Sequence, residues 1–279
     1  MSTDKNKSDE QVKETVRAGY AAIATGQRSC CCSSKRSSQA DPDRLAKAVG
    51  YDAESLANLP DGANMGLSCG NPVAIAALQE GQVVLDLGSG GGFDVFQAGA
   101  KVKAAGRVIG VDMTPEMLSK ARKNIEQYRN RTGLDNVEFR LGEIEYLPVP
   151  DASVDVVLSN CVINLSPDKP QVWREIFRVL KPGGKVAVSD LALLQSLPDN
   201  IREMASALVG CVAGAVLVDE TRALLEKTGF TSITLTPKPD YVRNMQNWND
   251  PLYKQIAETL PKGDEMADYV VSLSIEARK

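Results

Sequence analysis

From Gln82 onward the chain alternates short, nearly continuous apolar runs with longer segments whose apolar residues recur at helical spacing. Val83–Leu87, Arg107–Val111, Val137–Leu141, Val154–Asn160 and Lys185–Ser189 are runs of the first kind. Such runs, too apolar to alternate in and out of water, are expected of strands buried on both faces. Helices are predicted between them, from Phe93, Thr114 and Lys169. The second opens Thr114-Pro115-Glu116, a capping hydroxyl, a first-turn proline and an early acid. This rhythm predicts an α/β fold with a doubly wound, mostly parallel sheet, whose ligands sit at the carboxyl ends of the strands.

The flanks follow other patterns. Val12, Val16, Tyr20 and Ile23 form an apolar stripe between Ser8, a capping residue, and Gly26, a stop, and predict a short amphipathic helix. Gln27 to Ala40, rich in Ser and carrying Cys30, Cys31 and Cys32, reads as a mobile loop. Asp41-Pro42 starts a further helix that Gly50 ends, and Gly66–Pro72 is a loop holding Cys69. After Asp190 the rhythm changes. Small residues crowd Ile201 to Val218, which predicts a helix packed closely over something. Glu220–Lys227 reads as a helix, Ser232–Thr236 and Tyr269–Ile275 as strands, and Asn244–Asp268 carries no clear period. The expected organisation is a helical extension with a cysteine loop (1–60), a ligand-binding core (61–195) and a C-terminal part (196–279) that completes the sheet and covers the site.

The first strand runs into Asp86-Leu87-Gly88-Ser89-Gly90-Gly91-Gly92. Glycines at that density remove side chains where the backbone must turn sharply and approach a ligand, and the following helix aims its unpaired N–H groups at the same place. A dinucleotide fingerprint requires Gly-x-Gly-x-x-Gly; counted from Gly88 the sixth residue is Phe93, and from Gly90 it is Val95. The spacing Asp86-x-Gly88-x-Gly90-x-Gly92 instead resembles the first motif of the Rossmann-like S-adenosylmethionine-dependent methyltransferases, which implies that this loop, Ser89 included, lies under the methionine part of that cofactor. Asp112, followed by Met113, ends the second strand where an acid suits ribose hydroxyls. Glu143-Ile144 follows the third strand and is expected against the adenine edge.

Composition narrows the field. A net charge of −4 and a pI near 5.2 over 279 residues leave no electrostatic footprint for nucleic acid. Met1–Glu10 is polar and no apolar stretch reaches membrane-spanning length, so a cytoplasmic protein without membrane partners is expected. There the six cysteines should rest as thiols and serve ligand binding or redox chemistry. The chain has no histidine, which excludes His-based triads, His general bases and mixed Cys/His zinc sites.

Cys161 falls at the carboxyl end of the fourth strand, on the ligand rim. Cys211, amid Ala and Gly, taken alone suits a small buried hydrophobe. Methyl transfer to oxygen or nitrogen calls for a base that the chain does not offer in the usual form. Trivalent arsenic carries its own lone pair and binds soft thiolates, so three converging cysteines could hold it with that pair directed at a sulfonium methyl. The contexts Leu67-Ser68-Cys69-Gly70-Asn71-Pro72, Gly142-Glu143-Ile144-Glu145, Ser159-Asn160-Cys161-Val162-Ile163-Asn164-Leu165 and Gly210-Cys211-Val212-Ala213-Gly214, with the glycine loop, resemble the arsenite S-adenosylmethionine methyltransferases over roughly Gly62 to Phe230.

The resemblance implies a seven-stranded sheet, S-adenosylmethionine as methyl donor, and As(III) bound by Cys69, Cys161 and Cys211 as arsenite or its glutathione adduct. It also implies one redox cysteine among Cys30, Cys31 and Cys32, thioredoxin or glutathione as reductant, and Asn160 and Asp190 along the pocket. Longer relatives carry a further C-terminal part with extra cysteines. The rival readings are a methyltransferase for a small organic C or O nucleophile, which shares fold and cofactor, and a non-catalytic metalloid-binding protein, which would need no cofactor loop.

Overall fold

The structure, a computed structural model, describes residues 8–26, 42–204, 207, 211–247 and 251–279. Cys30, Cys31 and Cys32, with the loop predicted around them, lie outside the described residues.

The sheet has seven strands in the order β3-β2-β1-β4-β5-β7-β6. They are β1 (Val83–Leu87), β2 (Arg107–Asp112), β3 (Val137–Leu141), β4 (Val154–Asn160), β5 (Leu180–Leu193), β6 (Thr231–Lys238) and β7 (Val270–Arg278). β1 to β5 are parallel; β7 runs antiparallel between β5 and β6. The order reverses between β1 and β4, and there the carboxyl ends lie side by side, Leu87 opposite Ser159. A crevice at such a reversal is where open α/β sheets bind ligands.

Why these runs form strands is visible in their burial: Val84, Leu85, Leu87, Val154 and Val157 are fully enclosed. Helices cover both faces, so no polar alternation is required of the central strands. α5 (Phe93–Val102) and α6 (Pro115–Thr132) close one core with Phe96, Leu118 and Tyr128, and α7 (Lys169–Val179) closes the other with Trp173 and Ile176. A third apolar cluster gathers beyond the strand ends and contains Val16, Cys69, Cys161 and Cys211.

The N-terminal stripe forms α1 (Asp9–Ala24), with Ser8 and Gln11 completing a reciprocal capping box. α2 (Pro42–Ala48), α3 (Ala53–Ala57) and α4 (Pro72–Ala76) lead into the sheet. The C-terminal part departs from expectation. α8 is only Asp199–Arg202, and Cys211 to Gly214 form turns where a helix was expected. Cys211 takes a left-handed φ of 64°, which a continuing right-handed helix does not permit, and Gly214 is pressed against the Asn164 carbonyl. α9 (Val218–Thr228) ends at Gly229, whose φ of 103° favours glycine. The unassigned stretch holds α10 (Asp240–Asn247), α11 (Pro251–Ala257) and α12 (Met266–Tyr269).

Candidate active site

The glycine loop is shaped by close approach. Gly88 has φ +64°, and a Cβ there would stand 2.4 Å from a Val162 methyl. Gly90, at φ +51°, donates its N–H to Asp112 Oδ2 at 2.9 Å, while Asp112 Oδ1 accepts from Thr114 N at 2.8 Å. One carboxylate thus ties the loop after β1 to the start of α6. Gly92, at φ +93°, serves packing as well: a Cβ there would meet Phe96 at 2.5 Å.

A cleft runs from this loop to the cysteines. Gly88, Gly90, Asp112, Met113, Ile144, Asn160 and Cys161 all line it. An adjoining hollow is lined by Asp86, Ser89, Asp94 and again Asn160. Three buried acids therefore surround the loop. Burial pushes the Asp86 carboxyl well up, with Asp94 and Asp112 adding repulsion. Burial raises Asp112 against hydrogen bonds from Thr114 and Gly90, and raises Asp94 to about 6 against those from Tyr51 and Asn160. A cationic ligand lowers the cost of ionising all three, and the sulfonium and ammonium of S-adenosylmethionine fit this acid-lined cradle.

The cysteines arrive from three places. Cys69 comes from the loop before α4, Cys161 from the end of β4 at φ 57°, and Cys211 from its turn at φ 64°. Cys211 Sγ donates to the Cys161 carbonyl at 2.7 Å. Cys69 and Cys161 are joined as a disulfide with Cα atoms 6.1 Å apart, so the expectation of six resting thiols is corrected at this pair. That separation lies within the ordinary bridging range, and β4 and the Cys69 loop are held against each other by other bonds. Asp190 completes the cluster: a carboxylate oxygen and the two joined sulfurs lie within 4.8 Å of one another. Burial raises the Asp190 carboxyl to about 6, although Leu191 N, Asn164 N and Asn164 Nδ2 all donate to it. The nearby Lys169 ammonium, pushed down by burial and held up by Asp190 and Cys211, donates to Ser166 O at 2.9 Å.

Glu143 does not face the cleft. Its carboxylate takes Lys13 at 2.6 Å and Arg17 at 3.5 Å from α1, leaving Gly142, Ile144 and Glu145 on the wall. Through Lys13, Val16 and Tyr20, α1 roofs the cleft, a role its amphipathic stripe did not reveal because a stripe shows which face is buried and not against what. Asp94 and Tyr51 were missed too. An acid two residues after a glycine ladder reads as helix N-terminal charge, yet Asp94 is only 5% exposed.

The chain resembles known proteins over nearly its whole length. A methyltransferase domain family matches residues 78–229. The arsenite methyltransferase of Halobacterium salinarum is 43% identical over 286 aligned positions, 98% of this chain and 68% of that protein. That of Aquipseudomonas alcaligenes is 44% identical over 158 positions, 56% of this chain and 46% of its own length. Among solved structures, an arsenic (III) S-adenosylmethionine methyltransferase from Chlamydomonas reinhardtii is 35% identical with a TM-score of 0.61, covering 86% of this chain and 74% of that one. No described helix is long and apolar enough to cross a membrane. Glycine loop, acid-lined cradle and these relatives together make the chain an S-adenosylmethionine-dependent methyltransferase that belongs to the arsenite methyltransferase family.

Proposed function

We propose that this enzyme methylates trivalent arsenic, with arsenite held by the thiolates of Cys69, Cys161 and Cys211 and methylarsenite by two of them, and that the reaction serves arsenic detoxification. The observation that carries the reading is the shared cleft: Cys161 lines the same wall as Gly88, Gly90 and Asp112, with Cys69 and Cys211 against it. When bound, S-adenosylmethionine supplies an electrophilic methyl on sulfur.

The protein's part is placement. Three thiols displace the hydroxyls of arsenite as three waters, each giving its proton to a leaving hydroxyl, and as bound thiolates they fix the arsenic so that its lone pair meets the methyl in line. No group has to remove a proton from the arsenic, which accords with a site that has no histidine. Loss of the lone pair to the new bond leaves arsenic formally pentavalent. Two of the sulfurs bound to arsenic then couple as a disulfide: their two As–S bonds break, two electrons pass to arsenic, which becomes trivalent again, and water takes a vacated position on arsenic with release of one proton. The Cys69–Cys161 bridge makes that pair a candidate product, with Cys30, Cys31 or Cys32 as the other source of thiol. Thioredoxin or glutathione then reopens it by thiol–disulfide exchange.

Reduced protein incubated with S-adenosylmethionine and arsenite should yield methylated arsenicals. Cys161→Ser and Cys211→Ser should each abolish turnover while cofactor binding persists. Absence of arsenical product, with methyl transfer to a small organic acceptor instead, would refute the proposal.

A further inference from the structure

A hydrogen-bonded network reaches from the acid-lined hollow to Cys69, and it is centred on Asn160 of the cleft wall. Asn160, last in β4, shares its two Nδ2 hydrogens among three acceptors, Asp94 Oδ2 at 3.1 Å, the Tyr51 hydroxyl at 3.1 Å and the Gly70 carbonyl at 3.0 Å. Its Oδ1 accepts the Cys69 N–H at 3.1 Å and stands 3.6 Å from Cys69 Sγ. The Tyr51 hydroxyl spends its proton on Asp94 Oδ1 at 2.6 Å. One amide therefore holds the backbone of an arsenic-binding cysteine on one side and a cleft-facing carboxylate on the other.

Tyr51 is what keeps that amide in one orientation. An amide flanked by a carboxylate, a carbonyl and a backbone N–H has one favourable rotamer only if the acceptors on its Nδ2 side are fixed. Tyr51 fixes them. It is 4% exposed, its ring meets Phe93 edge-on at 4.7 Å, and Phe93 opens α5, the helix that carries Asp94. Burial and the Asp94 charge push its hydroxyl well above the ordinary tyrosine range, so it remains a donor at neutral pH. The neighbouring Gly50 carbonyl accepts from Asn71 Nδ2 at 2.9 Å, tying the Tyr51 segment to the Cys69 loop a second time.

We propose that Tyr51 is a positioning residue that couples the two halves of the site: through Asp94 and Asn160 it makes the placement of Cys69 depend on whether the acid-lined cradle is filled. A cation in the cradle draws on the Asp94 carboxylate, the carboxylate is shared with Tyr51 and Asn160, and Asn160 holds Cys69. Coupling of this kind is reciprocal, so arsenite must in turn tighten the cradle for its cationic occupant by the same factor. The inference rests on the three-thiolate reading above.

The test is arsenite affinity of the reduced protein, read as protein-bound arsenic after equilibrium dialysis, with and without a cationic S-adenosylmethionine analogue in which an amine replaces the sulfonium, so that no methyl is transferred. Changing Cys30, Cys31 and Cys32 to serine removes the other thiols. In the parent protein the analogue should strengthen arsenite binding about tenfold, within the usual range for coupled sites. Tyr51→Phe keeps the ring against Phe93 and removes only the hydroxyl. It should bring the ratio to about one and lower kcat, with the cofactor dissociation constant changed by less than about threefold. A ratio in Tyr51→Phe equal to that of the parent would overturn the proposal. Should Tyr51→Phe not fold, Asp94→Asn, which keeps the shape and removes the shared charge, must depress the ratio likewise, and an unchanged ratio there overturns it equally. Failure of the parent to bind arsenite at all would count against the three-thiolate site itself, a result distinct from loss of coupling.

Discussion

Gly214→Ala should disable the proposed arsenic site without altering a thiol or a residue of the glycine loop. A Cβ at position 214 would stand 2.0 Å from the Asn164 carbonyl oxygen and 3.1 Å from its carbon. Gly214 does not need glycine for its φ, so the effect is one of space alone. The obstacle is backbone and cannot swing aside. It is pinned further, since Asn164 donates to Asp190 at 2.9 Å and to the Leu191 carbonyl at 2.6 Å. Ordinary contact requires more than 1 Å of additional separation, and the yielding partner is the turn that carries Cys211 three residues earlier. Overpacking of this kind costs about 1–3 kcal/mol of stability. A misplacement of about 1 Å at a reacting group lowers rate on the order of 100-fold. The assay is arsenite methylation by the reduced enzyme alongside a thermal melt and calorimetric titration with S-adenosylmethionine. Expected are a fall of about 100-fold in kcat/KM for arsenite, a modestly lower Tm and nearly unchanged cofactor affinity. Parent-like turnover would show that the packing of Gly214 against the Asn164 carbonyl does not set the geometry of the site.

Two further outcomes follow from the electrostatics. Asp190 holds its proton up to about pH 6 when folded but only to the ordinary carboxylate value when unfolded, so the stabilisation tied to that proton is present below about pH 4 and lost as pH rises through 6. The loss is of order 3 kcal/mol, so Asp190→Asn should flatten the decline of Tm between pH 4 and 7, and parallel profiles for the two proteins would contradict it. Lys13 is 14% exposed and Glu143 31%, and they pair at 2.6 Å where α1 meets the cleft wall. Glu143→Gln should raise the KM for S-adenosylmethionine about two- to fivefold at low salt, less at high salt, with kcat nearly constant; a KM that does not move would separate α1 from cofactor retention.

The central sheet was legible because buried parallel strands impose a local signature. β1, β3 and β4 begin and end where their apolar runs do, and α5 and α7 start at Phe93 and Lys169 as expected. The tight loop after β1 was legible for a similar reason: Gly88 and Gly90 answer to backbone geometry that only their own sequence can supply. What the sequence withheld is what tertiary contact decides. Small residues from Ile201 to Val218 suit a tight helix as well as a tight turn, and Asn164, about fifty residues away, forces the turn at Gly214. Glu143 is paired with two cations of α1, and Tyr51 reaches Asn160 across 109 positions. The joined state of Cys69 and Cys161 is equally a matter of where β4 and a distant loop meet.

The claim that three thiolates hold the arsenic is tested most directly by arsenic X-ray absorption on the reduced protein loaded with one equivalent of arsenite, in a variant with Cys30, Cys31 and Cys32 changed to serine. The account predicts a first shell of three sulfur atoms, falling to two in Cys211→Ser. A shell of oxygen, or three sulfurs that persist when Cys211 is replaced, would contradict it.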